Sequence, residues 1–99
     1  MPPHRKVPPR SPELGALGKA VEQLRTEAGL NLEQLAEKVG SDQTQVGGIE
    51  RGVRNPSYEF LLRLAAALGK RVGEITTLAD HLYDTDQLSR TTSNSPSGR

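Results

Sequence analysis

The chain has no cysteine and no tryptophan, and its only aromatic residues are Tyr58, Phe60 and Tyr83. Without thiols there is neither a disulfide framework nor a thiolate metal site, which excludes stapled mini-proteins and cysteine-bound zinc folds. With so few rings, a core has to be assembled from Leu, Val, Ile and Ala. Long apolar runs are missing as well. None approaches the ~20 residues of a helical membrane span, and the basic first residues lack the apolar segment of a signal peptide. The expected location is the compartment of synthesis, the cytoplasm.

An excess of one charge is also lacking. The chain carries a net +1, and Glu13 to Tyr83 holds eight Lys/Arg against ten Asp/Glu. The first twelve residues hold Arg5, Lys6 and Arg10 with no acid. A general attraction to polyanions is therefore excluded for the central part, and any affinity for phosphate must come from local clusters. Catalytic groups are scarce too. His4 lies in a proline-rich segment, and His81 with Asp80 and Asp84 reads as a solvated helix end rather than a metal site. Gly47-Gly48 lacks the context of a phosphate-binding loop. No catalysis, metal or cofactor is expected.

What is present is helical punctuation. Met1 to Arg10 contains Pro2, Pro3, Pro8 and Pro9; it is expected to be a flexible basic arm, either solvated or laid along a nucleic-acid backbone or minor groove. Ser11-Pro12 is an N-cap and first-turn pair. Leu14, Leu17, Val21, Leu24 and Ala28 follow at helical spacing, up to Gly29. Asn31 with Gln34 forms a capping box for a second helix with Leu35, Ala36 and Val39 inward, and Gly40 stops it. After Ser41, Asp42 caps a third helix, with Gln45 as a second capping-box partner and Val46 and Ile49 inward. Gly52 ends it. Two short helices joined by so tight a turn must cross steeply, which is a helix-turn-helix.

Asn55-Pro56 marks a loop, and Ser57 caps a fourth helix with Phe60, Leu61, Leu64, Ala65 and Leu68 as its stripe and Arg63 on its outer face. Val72, Ile75, Leu78, Ala79 and Leu82 predict a fifth. The expected fold is all-α: five helices over residues 11–83, followed by a disordered tail over 84–99. A domain this small covers its apolar surface poorly. Ile75, Leu78, Leu82 and Tyr83 are therefore expected to meet a second copy of the chain; the other option is a fifth helix that merely lids a monomer.

The stretch Leu32 to Gly52 resembles the helix-turn-helix domains of the Cro and phage-repressor (XRE-type) family. The matching residues are Ala36 and Gly40, then Val46, Ile49, Glu50 and Gly52, then Arg54, Pro56 and Ser57. The later Leu61-to-Gly69 pattern extends the likeness over roughly Leu14 to Leu82. The resemblance implies a homodimeric regulator of transcription, with a repressor expected, that reads a near-palindromic operator in double-stranded DNA through its third helix. Gln43, Thr44 and Gln45 are expected at base edges; Gly47 and Gly48, on the outward face, are expected either to let the backbone approach the bases or to leave the far end of the site barely read. Asn31 and Leu32 at a helix N-terminus, with Arg51 and Arg54, are expected at phosphates. Arg25 and Glu50 are expected to pair. Gly47, Gly48 and Leu32 depart from the polar residues that relatives carry there. The alternative from another class is a protein-binding module, such as an antitoxin or scaffold partner, that holds a protein through the last helix and tail.

Overall fold

The computed structural model describes residues 7–94. Its helices are α1 (Pro12–Glu27), α2 (Leu32–Val39), α3 (Gln43–Glu50), α4 (Tyr58–Leu68) and α5 (Val72–Asn94), and the described residues contain no strand.

Each of the first four helices starts on a side chain that takes a backbone N–H otherwise left without a partner. The Ser11 hydroxyl accepts from Leu14 N–H at 3.1 Å and the Ser57 hydroxyl from Phe60 N–H at 3.1 Å. Asn31 and Gln34 close a reciprocal capping box, both bonds at 2.8 Å, satisfying two such donors at once. Asp42 accepts from Gln45 N–H at 2.8 Å. Gln45 does not return that bond, so the second capping box expected there is only half made. Gly40, at φ +78°, turns the chain between α2 and α3 in the left-handed region that glycine enters without steric cost.

Val21, Leu35, Val46, Ile49, Leu64 and Ile75 are the large side chains at the centre, each essentially sealed from water. α5 lies along α1, α3 crosses α1, and α2 packs on both α3 and α4. The inner face of α1 is built from small residues, Ala16, Gly18 and Ala20, as well as Val21 and Leu24. Gly18 sets the distance between two helices. A Cβ there would overlap the backbone carbonyls of Ile49 and Glu50 at the end of α3.

Three expectations are corrected. Ile75 is 0% exposed and belongs to this chain's own core, not to a contact with another copy. Its periodicity marks a buried face, but the cover comes from α1 and α4 within the same chain. The last helix does not stop at Tyr83; it runs to Asn94. No Gly or Pro interrupts residues 84–94, and extending a helix avoids the cost of nucleating one. Arg90 Nε meets Asp86 Oδ2 at 2.9 Å one turn earlier, a pairing that supports an exposed helix slightly. Arg63 does not simply lie outward either. Its guanidinium donates to the Val39 carbonyl at 3.0 Å and closes the C-terminus of α2, while stacking 5.0 Å from the Phe60 ring centre.

Of the expected arm, residues 1–6, with His4, Arg5 and Lys6, lie outside the described residues, as do residues 95–99 of the expected tail. Pro9 and Arg10 are fixed against the domain. Arg10 N–H donates to the Gly52 carbonyl at 2.8 Å, and Pro9 covers Gly15 and Gly52.

Candidate nucleic-acid interface

An α-helix turns about 100° per residue, so the residues of α3 divide into two faces. Val46 and Ile49 are buried and Glu50 is turned toward α1. The opposite direction runs through Thr44, Gly47, Gly48 and the C-cap Arg51. Gln43 and Thr44 are exposed on the first turn, while Gln45 is half-buried at the flank. Asp42 is taken up as the N-cap, and Glu50 is the only carboxylate within α3.

Glu50 is neutralised from behind. Arg25 Nε donates to Glu50 Oε2 at 2.7 Å and Arg25 Nη2 to Oε1 at 3.1 Å, the two parallel bonds of a guanidinium–carboxylate fork. The third arm, Nη1, donates to the Leu30 carbonyl at 3.0 Å in the loop between α1 and α2. The bond to Glu50, which outweighs the cost of burial, raises the Arg25 pKa above its ordinary value. One side chain thus ties α1, the α1–α2 loop and α3, and it keeps a negative charge off the outer face.

The structure alters the assignment of Gly47 and Gly48. Both are buried rather than bare on the outer face, because other side chains occupy the space that theirs would have filled. A Cβ at Gly47 would sit 3.1 Å from Arg51 Nη1 and 3.3 Å from Leu32 Cδ2. A Cβ at Gly48 would sit 2.6 Å from Arg54 Cδ. Arg51 and Arg54 are themselves exposed. Neither glycine can offer its backbone to a base unless the arginine above it moves.

The loop after α3 holds this arrangement. Gly52 (φ +78°) follows the C-cap, with Gly52 N–H on the Ile49 carbonyl at 3.0 Å and Val53 N–H on the Gly48 carbonyl at 2.9 Å. This is the paired-bond glycine stop of a Schellman motif. Arg54 N–H also reaches the Gly48 carbonyl, at 3.2 Å, so the loop doubles back along α3. Arg54 then shares a shallow groove with Arg10, Gln45 and Asn55.

Arg10, Arg51 and Arg54 therefore gather around the C-terminal end of α3, where the helix dipole favours cations. Asn31 is exposed at the start of α2, and Leu32 is half-buried beside Gly47 and Arg51. Of the sequence-predicted residues, Leu32, Arg51 and Arg54 thus lie against α3, which itself carries Gln43, Thr44 and Gln45, and Asn31 is exposed one residue before Leu32. Leu78, Leu82 and Tyr83 lie elsewhere, half-buried along α5. Arg10 was missed as a member of this cluster, because only the folded contact with Gly52 brings it there. Among the described residues no group of three or more His, Asp or Glu side chains could hold a metal ion. No helix among them is long and apolar enough to cross a membrane.

Residues 21–75 match the family model described as helix-turn-helix. The chain is 37% identical over 71 residues to the HTH-type transcriptional regulator SinR of Bacillus subtilis (strain 168), a match covering 71% of this chain and 61% of SinR. The chain thus spans about three-fifths of that relative's length. A crystal structure of SinR, the master regulator for biofilm formation, in complex with DNA aligns with a TM-score of 0.57 at 37% identity, covering 60% of this chain and 95% of that chain. The restriction-modification controller protein C.AhdI from Aeromonas hydrophila aligns at 42% identity with a TM-score of 0.65, over 66% of this chain and 98% of that one. The clp gene regulator ClgR from Corynebacterium glutamicum aligns at 26% identity with a TM-score of 0.81, over 86% of this chain and 90% of that one.

Proposed function

Because the chain belongs to the helix-turn-helix family, of the Cro and phage-repressor type, we propose that it binds double-stranded DNA as a homodimer and regulates transcription, as a repressor. The observation that carries this is the outer face of α3. It holds Gln43 and Thr44 exposed on its first turn, has no free carboxylate within the helix, and is flanked by Arg10, Arg51 and Arg54. Entry of α3 into a major groove lets Gln43 bond N7 and N6 of adenine, while Thr44 offers a hydroxyl and a methyl for thymine. Asn31 and the free N–H groups at the start of α2 meet phosphate, as does Arg51. The reading assigns no catalysis and no cofactor, and it places the protein in the cytoplasm with the DNA it reads.

A salt titration against duplex DNA tests it. The logarithm of the affinity should fall linearly with that of the salt concentration, with a slope of about −0.9 for each phosphate neutralised. Measurable affinity with no salt dependence, or no affinity for any duplex, would end the DNA reading in favour of a protein-binding module.

The dimer is assigned to α5 and its surroundings. With Ile75 withdrawn into the core, the face consists of Leu78 together with Val72, Tyr58 and Leu62; the last two are 64% and 47% exposed. Shallow grooves sharing Arg71 and Gly73 join these residues. Leu82 and Tyr83 extend the half-buried surface along the same helix. Two copies then present two α3 helices about 34 Å apart, one turn of DNA. Leu78→Asp with Leu82→Asp is expected to give a monomer that has lost most of its specific affinity. Leu62→Asp, outside the core, should give the same monomer, still folded, with a melting temperature that no longer rises with protein concentration. Sedimentation of either folded variant as an intact dimer would remove this face from the proposal.

A further inference from the structure

We infer that Arg54 is a base-reading residue that selects guanine, seated in the space Gly48 leaves on the outer face of α3. The inference rests on the proposed entry of α3 into the major groove and assigns Arg54 a different partner from the phosphate implied by its place after Gly52. Three consecutive atoms of its side chain, Cγ, Cδ and Nε, lie 2.8, 2.6 and 2.8 Å from where a Cβ of residue 48 would stand. The stem of Arg54 thus takes the place of a recognition-helix side chain. Its backbone is held there by the N–H bonds from Val53 and Arg54 to the Gly48 carbonyl, at 2.9 and 3.2 Å.

Gly48 follows Thr44 by one helical turn, about 40° around the axis and about 6 Å along it. The guanidinium of Arg54 is therefore carried on the line that Thr44 begins, about two base steps farther on at 3.4 Å each. Its planar fork makes no ion pair or side-chain hydrogen bond among the described residues. Guanine is the base whose major-groove edge offers two acceptors, O6 and N7, spaced for that fork. A phosphate contact needs only a charge at the groove wall, and an arginine on a free loop would supply it. It does not need the helix to give up a side chain, or to accept a glycine in its interior, so that the arginine can lie across it.

The experiment is selection of bound duplexes from a random DNA pool by the full chain and by Arg54→Ala, Arg54→Lys and Gly48→Ala, each followed by salt titration on the selected site. The wild type is expected to select one G·C pair in each half-site, with replacement of that pair lowering affinity about ten- to a hundredfold. Arg54→Ala should lose that preference, keep the preferences set by Gln43 and Thr44, and leave the salt slope unchanged. Arg54→Lys, without the fork, should recover only part of it. Gly48→Ala displaces the flexible stem and should relax the same base pair while melting no lower than wild type. Uniform weakening of every duplex by Arg54→Ala, with the salt slope flattened by about one per protomer, would make Arg54 a phosphate contact and overturn the inference. Retention of the G·C preference by Gly48→Ala would overturn the seating. A wild type that binds duplexes with a steep salt slope but no sequence preference would instead sink the proposed entry of α3, and Arg54 with it.

Discussion

Arg25→Ala is expected to destabilise the domain by about 3–5 kcal/mol, because it strands a carboxylate and does more than remove a contact. Arg25 and Glu50 are 15% and 8% exposed at their side chains, so the pair is largely out of water. The fork to Glu50 and the bond to the Leu30 carbonyl vanish together. Domains hold about 0.05–0.15 kcal/mol per residue, or about 5–15 kcal/mol for a chain this short, so a loss of this size is a large fraction of the total. Each kcal/mol moves the melting temperature of such a domain by about 4–8 °C, so the fall should exceed about 12 °C. Arg25→Lys keeps a charge without the fork and should fall between. Arg25→Met with Glu50→Leu leaves no unpaired charge and should cost far less than the single change. Thermal and urea melts decide this, and a single mutant within a degree or two of wild type refutes the bracing role. The raised Arg25 pKa gives a sign as well. Its stabilising effect is complete below the ordinary arginine value and is lost only as pH climbs through the higher folded value. Arg25 therefore adds no pH dependence across the neutral range.

The local grammar of this chain was legible, and its long-range consequences were less so. Asn31 with Gln34, Asp42, Ser57 and Ser11 act within three residues of themselves, so spacing alone located the starts of four helices. The inward residues Leu35, Val39, Val46 and Ile49 follow from a period that any short helix imposes. Gly47 and Gly48 were misjudged because periodicity gives the direction a position faces, not what folds back over it. Arg51 and Arg54 come from farther along the chain and cover both. Ile75 shows the same limit in reverse, as an apolar stripe does not say whether its own chain or another copy covers it. The capping box at Gln45 is half made, its side chain leaving the Asp42 N–H free. Gln45 faces the groove it shares with Arg10, Arg54 and Asn55. The length of α5 was missed because Ser, Thr and Asn are weak helix formers, while continuation of an existing helix asks little of them.

Gly18→Ala and Gly73→Ala are expected to change stability in opposite directions, although both replace a helical glycine by the best helix former. Alanine in a helix interior gains about 0.8–1 kcal/mol over glycine; Gly73, the second residue of α5, draws part of that gain and nothing opposes it. No atom lies within 4 Å of a Cβ built there, so Gly73→Ala should raise stability by about 0.4–1 kcal/mol. At Gly18 the added Cβ overlaps the carbonyls of Ile49 and Glu50. These are backbone atoms at the end of α3, held by the turn through Gly52, and they cannot swing aside as a side chain would. Relief has to come from moving α1 off α3, which opens the core around Ala20, Val21 and Ile49 and draws Arg25 away from Glu50. Overpacking of a well-filled interior costs about 1–3 kcal/mol in ordinary cases. Loss of the fork adds to that here, so Gly18→Ala should fall below wild type by about 2 kcal/mol or more, and Gly18→Val further still. Parallel urea melts of the two alanine variants give the answer. A Gly18→Ala protein as stable as Gly73→Ala would mean that α1 and α3 are not held at the distance described, and the bracing of α3 by Arg25 would lose its geometric basis.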